Sequence, residues 1–218
     1  MKKLFLVIIA LALLLVTGCA KDSLSSQEQG SGYTVVDARG KKITFTSAPK
    51  RIVCLNYSAT DILTDLIPTD RIIATDMWAR EEDLSNCYEK LKGIPVCENN
   101  PEQIMKFKPD IVILTDGRAN ELADTLDSVG IKTCVLRQPK TIQEIPDYIK
   151  IVGEVTDTKA AANSLAEKVA AYLKASTDGQ KIESVLLIHP NGGIGQKGSM
   201  PASICEACNI ENLAAKYD

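Results

Sequence analysis

The stretch NNPEQIMKFKPDIVIL, residues 99–114, constrains the fold more than any other part of the sequence. Asn100 is a good helix-capping residue, and Pro101 suits the first helical position because the N–H that it lacks would be free there. The residue before Pro109 is disfavoured in a helix, so the helix is expected to end there. The unbroken apolar run at 111–114 is typical of a strand covered on both faces. The stretch therefore predicts a short helix leading into a buried strand of an α/β protein.

Strand-like and helix-like segments alternate on either side of this stretch. The pattern predicts strands at residues 51–55, 71–74, 110–114 and 131–136, and helices at 59–67, 101–107, 119–129 and 142–152. We expect Ser58 and Thr141 to cap two of these helices and Gly130 to close a third. Alternation of this kind indicates βα units around a mostly parallel sheet, a Rossmann-like lobe with right-handed connections. Residues 33–45, with β-rich runs around Ala-Arg-Gly, predict a hairpin ahead of it.

Residues 158–175, TKAAANSLAEKVAAYLKA, differ from these segments because they are rich in alanine and contain neither glycine nor proline. Leu165, Val169 and either Tyr172 or Leu173 fall on one helical stripe. A helix of this length would reach roughly 27 Å, the width of a small domain. The segment therefore predicts a long, stiff linker helix.

Beyond the linker, residues 182–188 predict one further strand and residues 201–215 one further helix. One strand and one helix cannot bury a core of their own, so we expect a second lobe that is begun and not finished. Five segments are expected in all: a signal peptide at 1–18, a flexible tether at 19–32, an α/β lobe at 33–153, the linker helix within 154–178, and the start of an incomplete α/β lobe at 181–218.

The N-terminus carries a targeting signal. The apolar run at 4–16 follows Met-Lys-Lys and is too short to span a bilayer comfortably, but it suits the core of a secretory signal. The run ends in Val-Thr-Gly-Cys, which resembles the lipobox of bacterial lipoproteins, with Cys19 as the residue that is lipidated. An acylated Cys19 would hold the protein on a membrane surface. We therefore expect an extracytoplasmic protein tethered to the bacterial cell membrane, at the cell surface or in the periplasm.

Six further cysteines follow Cys19. In an oxidising compartment Cys87 and Cys97, which flank one loop, are the first pair to consider for a disulfide, although the sequence does not determine the connectivity. The CxxC spacing of Cys205 and Cys208 would suit redox or metal chemistry, but packing on a helix is the simpler interpretation.

Several function classes are disfavoured by composition. The net charge of −3 argues against nucleic acid as a partner, because neutralising phosphates needs a basic surface. An enzyme is disfavoured because GGIGQKG lacks the spacing of phosphate-binding loops, and no nucleophile, base and orienting residue occur together. A receptor for free zinc or manganese would need several imidazoles, whereas His189 is the one histidine and reads as a strand-end residue. The sequence indicates no cofactor and no metal site.

Five stretches, in order and spacing, identify a family. They are APKRIVCLNYSATDIL, NNPEQIMKFKPDIVIL, LDSVGIKTCVL, TIQEIPDYIKIVGEV and GSMPASICEACNIENLA. Together they resemble the helical-backbone substrate-binding proteins of ABC importers, which collect ferric siderophores, haem or cobalamin. The resemblance implies two α/β lobes joined by one long helix, with the ligand in the cleft between them. Since the second lobe is only begun here, the chain is expected to be a fragment or a C-terminally truncated product, and the latter could be a surface lipoprotein that no longer binds ligand.

By this resemblance, and because parallel sheets bind ligands at the carboxyl ends of their strands, the ligand half-site should follow the first-lobe strands. The implied ligand-binding residues are Asn56, Tyr57, Trp78, Arg80, Thr115, Asp116 and Arg118, with Met77 beside them. Trp78 could stack on a planar ligand or simply cover the lobe's edge. Arg80 and Arg118 could pair with carboxylate or catecholate oxygens, or remain solvated.

The resemblance also indicates ligand and partners. Cobalamin receptors of this family line the cleft with more aromatic residues, and Val96 and Thr115 occupy positions where two such aromatics are expected. An iron complex (ferric siderophore or haem) is therefore the favoured ligand, and cobalamin is the alternative. The loaded receptor, expected to be a monomer, would deliver its ligand to a membrane permease and its ATPase. Glu102 matches the glutamate that the first lobe presents to permease arginines, although its place in a helix's first turn is explained equally by the helix dipole.

Overall fold

The structure is a computed structural model that describes residues 32–117, 119–175, 182–188 and 195–217. The expected signal peptide, Cys19, Arg118 and His189 lie outside the described residues. The strands are β1 (Tyr33–Val36), β2 (Lys42–Phe45), β3 (Ile52–Cys54), β4 (Ile72–Thr75), β5 (Ile111–Thr115), β6 (Thr133–Leu136), β7 (Ser184–Val185) and β8 (Glu211–Asn212). The α-helices are α1 (Tyr57–Leu66), α2 (Pro101–Lys106), α3 (Ala119–Ser128), α4 (Ile145–Thr156), α5 (Lys159–Ala175) and α6 (Met200–Ala207). Short 3-10 turns join several of them.

The central sheet has four strands in the order β4-β3-β5-β6, and all three pairings are parallel. This confirms the α/β class with a parallel sheet. Parallel pairing brings the carboxyl ends of the strands to one edge, where the residues after Cys54, Thr75, Thr115 and Leu136 emerge together.

The strands alternate their side chains between two cores. Ile52, Cys54, Ile111 and Ile113 pack with α1, α4 and α5, whereas neighbouring strand residues pack on the opposite face with α2 and α3. Because both faces are covered, the strands need the unbroken apolar runs that the sequence shows.

The hairpin of β1 and β2 forms as predicted, with Gly40 at φ 79° in its turn. It is fastened to the lobe by Arg39, which binds Asp37 at 2.8 Å, Asp127 at 3.1 Å and the Thr133 hydroxyl at 2.8 Å. Burial opposes ionisation of Asp127, but hydrogen bonds from Lys41 and Thr133 and the nearby positive charges outweigh it, so the pKa of Asp127 lies below its ordinary value.

The long helix α5 packs on α4 through small residues. A Cβ built on Gly153 of α4 would overlap the Cβ of Ala162, so the two helices approach at a place where only glycine fits. Ala162 and Ala166 are buried there, and Leu165 and Val169 pack against the same core as predicted. Tyr172 is 77% exposed, because α5 has by then run past the first residues of α4.

Two of the predicted caps are wrong. The N-cap of α1 is Asn56, whose Oδ1 accepts a hydrogen bond from the Ala59 N–H at 2.7 Å, and Ser58 lies inside the helix. Thr141 makes no side-chain cap: a 3-10 turn at Ile142–Glu144 precedes α4, which continues to Thr156, beyond its predicted end.

The region after α5 differs from its prediction. Within the predicted strand at 182–188, β7 covers two residues and pairs with β8, which is equally short, and Ile188 is an isolated bridge residue. The predicted helix at 201–215 ends at Ala207, because Asn209 takes a left-handed conformation at φ 55°. A 3-10 turn at Leu213–Tyr217 follows β8.

The cysteines in the described part of the chain are free thiols. Cys87 and Cys97 are buried in separate hydrophobic clusters, so the disulfide considered for them is not formed. Cys205 is buried on α6, while Cys208 is exposed just after it. Among the described residues, no helix combines the length and apolar character needed to cross a bilayer.

Candidate functional site

A pocket of about 910 Å³ lies at the carboxyl edge of the parallel sheet. Residues at or just beyond the carboxyl ends of all four strands contribute to it, together with a loop that runs beside β4. Its lining residues are Leu55, Asn56, Tyr57, Ser58, Asp76, Met77, Trp78, Val96, Cys97, Glu98, Asn99, Thr115 and Gln138. The structure thus brings Asn56, Tyr57, Trp78 and Thr115 together, which are four of the residues that the sequence proposed for ligand binding.

Asn56 is the centre of a hydrogen-bond network beneath the pocket, and it is only 5% exposed. Its Oδ1 accepts from the Ala59 N–H and from the Tyr148 hydroxyl at 3.2 Å. Its Nδ2 donates to the Thr115 hydroxyl and to Gln138 Oε1 at 3.2 Å. Since every hydrogen-bonding atom of the Asn56 amide is occupied, this side chain positions the pocket floor.

Three apolar side chains project into the pocket. Trp78 is 54% exposed and Met77 50%, both in the turn after β4. Val96 is held beside them because it forms a parallel bridge with Thr75, which extends the edge of the sheet. An exposed tryptophan next to a methionine offers a flat, polarisable surface on which a planar ligand can stack.

Arg80 does not line the pocket. Its guanidinium donates to the Leu91 carbonyl and lies 5.8 Å from the centre of the Tyr88 ring, so it braces the loop behind Trp78. Asp116 also lies outside the lining and accepts a 3.3 Å hydrogen bond from the Gln138 N–H.

Asp76 is the lining residue that the sequence interpretation missed and that has the most distinctive environment. Its Oδ1 accepts from the Ala79 N–H at 3.0 Å, whereas its Oδ2 is buried without a hydrogen-bond partner among the described residues. Burial raises the pKa of this carboxyl, and hydrogen bonds from the backbone N–H groups of Ala79 and Trp78 only partly offset the effect.

The charges that line the pocket are acidic. Asp76 and Glu98 are its carboxylates, and no lysine, arginine or histidine lines it in the part of the chain that the structure describes. Cys97 lines it as a buried thiol, and burial raises its pKa to about 11, so it is protonated at neutral pH. Within the described ranges no three His, Cys, Asp or Glu side chains are grouped in a way that would hold a metal ion.

Glu102 lies outside the pocket, in the first turn of α2. Asn100 caps that helix by accepting from the Gln103 N–H at 3.0 Å, as predicted. The Glu102 side chain is exposed and has no hydrogen bond or ion pair with any residue that the structure describes. It is therefore available to a partner.

Comparisons with known proteins bear on the family of the chain. A family described as "Periplasmic binding protein" matches residues 52–217. YvrC of Bacillus subtilis (strain 168), named an uncharacterized ABC transporter substrate-binding lipoprotein, is 25% identical over 176 residues, which cover 75% of this chain and 54% of YvrC. A cobalamin-binding protein of Halobacterium salinarum is 26% identical over 188 residues, covering 84% of this chain and 51% of the relative.

A periplasmic heme binding protein from Pseudomonas aeruginosa has the same fold. It is 18% identical, with a TM-score of 0.60 over 76% of this chain and 63% of that structure. The chain spans about half the length of the curated relatives it matches. The matched family is one of binding proteins rather than enzymes, in agreement with the sequence interpretation, and its match covers most of the chain. The chain therefore belongs to the periplasmic binding protein family.

Proposed function

We propose that this protein is the substrate-binding lipoprotein of an ABC importer and captures a large metal chelate outside the cytoplasm. The observation that carries the proposal is the pocket at the carboxyl edge of the parallel sheet, with the half-exposed Trp78 on its wall. A pocket of about 910 Å³ suits a bulky ligand better than a bare ion. Lipidation at Cys19 and the tether at 19–32 would hold the lobe at a membrane surface.

The ligand that we propose first is an iron complex, a ferric siderophore or haem. Trp78 and Met77 would cover one apolar face of the complex, and the Tyr57 and Thr115 side chains would border its polar edge. The second candidate is cobalamin, which the similarity to the Halobacterium salinarum protein favours. Arg80, Asp116 and Arg118 stay predictions as ligand contacts. The linker helix α5 would limit opening to a small hinge, because a single stiff helix resists wide motion.

Replacing Trp78 by alanine tests the pocket. The W78A variant should lose about tenfold or more in affinity for a bound chelate, because a large stacking surface is removed. Equilibrium dialysis against a ferric trihydroxamate, haemin and cyanocobalamin measures this. Tyr172→Ala is the matched control, since Tyr172 is an even more exposed aromatic that lies outside the pocket. Equal affinity of W78A and wild type for every chelate that binds would contradict the assignment of the site.

Glu102 is our proposed contact with permease arginines. An exposed carboxylate at a docking rim mainly steers association and fixes the register of the two proteins. Glu102→Ala should therefore leave chelate binding intact and reduce uptake severalfold in cells that express the cognate permease and ATPase. Glu121→Ala is the control, because Glu121 is also an exposed glutamate in the first turn of a helix. Full uptake by the Glu102 variant would refute the docking role.

A surface lipoprotein that has kept the lobe and lost the ligand is the competing proposal. It predicts that the folded chain binds none of the three chelates in dialysis. The pocket favours the receptor, since an exposed Trp78 beside an unpaired buried carboxylate oxygen has no evident use in a lobe that binds nothing.

A further inference from the structure

Asp76 carries a hydrogen-bond acceptor that nothing in the described structure uses. Its Oδ1 closes the turn after β4 by accepting from the Ala79 N–H, so one oxygen is sufficient for the structural role. Its Oδ2 is buried and has no partner among the described residues. A buried carboxylate oxygen without a donor is costly, so in a native protein such a group calls for a donor that a water, an ion or a ligand supplies.

Asp76 belongs to the lining of the ligand space, and its Oδ2 is covered by the surrounding protein. Asp76 follows β4 directly and lines the pocket next to Met77 and Trp78, so a ligand stacked on Trp78 would present its edge to the carboxylate. Glu98 adds a second carboxylate to the same lining. The titratable groups whose pKa Asp76 raises are Cys54 and Tyr57, and both are neutral at pH 7.

No described lining residue compensates these two negative charges, since Arg80 is engaged with Leu91 outside the pocket. A ligand with anionic oxygens would meet repulsion from Asp76 and Glu98, whereas an N–H or O–H donor would form a charge-assisted hydrogen bond.

We propose that Asp76 is a specificity-determining residue: it accepts a hydrogen bond from an N–H or O–H group of the ligand and makes the pocket select uncharged or cationic chelates over anionic ones. This inference rests on the proposed receptor function and deepens it. It places an uncharged ferric trihydroxamate or an amide-bearing corrinoid among the favoured ligands. An anionic ferric tris(catecholate) is disfavoured, and haem, whose two propionates are anionic, ranks below the uncharged chelates.

The test is a titration of the wild-type chain and of Asp76→Asn with four probes: an uncharged ferric trihydroxamate, cyanocobalamin, haemin and an anionic ferric tris(catecholate). Wild type should bind one of the first two most tightly. D76N should weaken that binding by about 10- to 100-fold, as expected for loss of a hydrogen bond to a charged group. Glu98→Gln removes the same charge from an exposed position and should cost about threefold or less.

A second readout separates a ligand role from a structural one. The asparagine Oδ1 can still accept from the Ala79 N–H, so D76N keeps the turn. Because burial raises the pKa of Asp76 in the folded state, its contribution to stability is complete below the unfolded-state pKa and is lost as pH rises through the folded-state pKa. The Asp76 carboxyl therefore stabilises the fold less as pH rises, so the melting temperature of wild type should fall relative to that of D76N as pH rises.

Each outcome has one meaning. Preference of wild type for the tris(catecholate) or for haemin, equal affinities of D76N and wild type, equal losses in D76N and E98Q, or a melting temperature of wild type that rises relative to that of D76N as pH rises would overturn the role of Asp76 while chelate binding itself stands. Failure of wild type to bind any of the four probes would instead contradict the proposed receptor function, and this inference with it.

Discussion

Asn56 shows how one side chain serves both the fold and the site. It caps α1, holds the Tyr148 hydroxyl and orients Thr115 and Gln138 at the pocket floor. Burial is the main cause that raises the pKa of Tyr148, so its hydroxyl stays protonated and needs this acceptor. The packing of the lobe and the shape of the pocket therefore depend on the same amide.

Asn56→Ala should lower the free energy of unfolding by about 2–3 kcal/mol, because it removes a helix cap and leaves a buried hydroxyl without its partner. Urea denaturation monitored by circular dichroism measures the change. Ser58→Ala is the matched control, two residues along in the same helix, and it should change the stability by about 0.5 kcal/mol or less. A larger loss for Ser58→Ala would mean that Ser58, and not Asn56, is the effective cap.

The sequence predicts Asn56 as a site residue but not as the cap. In LNYSAT both asparagine and serine are good caps, and local propensity does not separate them. Tyr148 and Gln138 hydrogen-bond the Asn56 side chain and so hold it in the capping position, but they lie 92 and 82 residues away in the sequence. Asp76 was missed for a similar reason, since its unpaired oxygen is a property of the folded turn and not of a motif.

At the scale of elements, the contact of α4 with α5 determines where the long helix lies on the lobe. Gly153 and Ala162 allow the two helix backbones to approach closely. The backbone N–H of Thr158 donates a hydrogen bond to the Gly153 carbonyl at 2.8 Å, between the two helices in the sequence. The alanine-rich sequence predicts a long helix from propensity alone. The buried stripe of α5 extends only as far as α4 covers it. Tyr172 lies beyond that point, so its side chain is exposed to solvent.

Gly153→Ala should destabilise the chain by about 1–3 kcal/mol, because its Cβ would overlap that of Ala162. Ala162→Gly alone should cost about 1 kcal/mol through lower helix propensity. The double variant should be more stable than the sum of the two losses implies, since the overlap is then relieved. Additive losses in urea denaturation would contradict the close approach of the two helices.

For the whole molecule, the parallel sheet and its ligand edge follow from the sequence because buried apolar runs and βα alternation are strong signals. The region after α5 does not follow from it. The apolar run at 182–188 predicts a long strand, but a strand extends only where a partner pairs with it, and β8 offers two residues. Leu186 and Leu187 are therefore only about half buried.

Trp78 is the one tryptophan in the chain, so its emission reports on the pocket wall alone. The measurement that tests the receptor proposal most directly is a fluorescence titration of the wild-type chain with the chelates named above. We expect saturable quenching of Trp78 emission, with an affinity equal to that found by dialysis, because the ligand stacks on the indole. Binding by dialysis without any change in Trp78 emission, or no binding at all, would contradict a ligand site at this edge of the sheet.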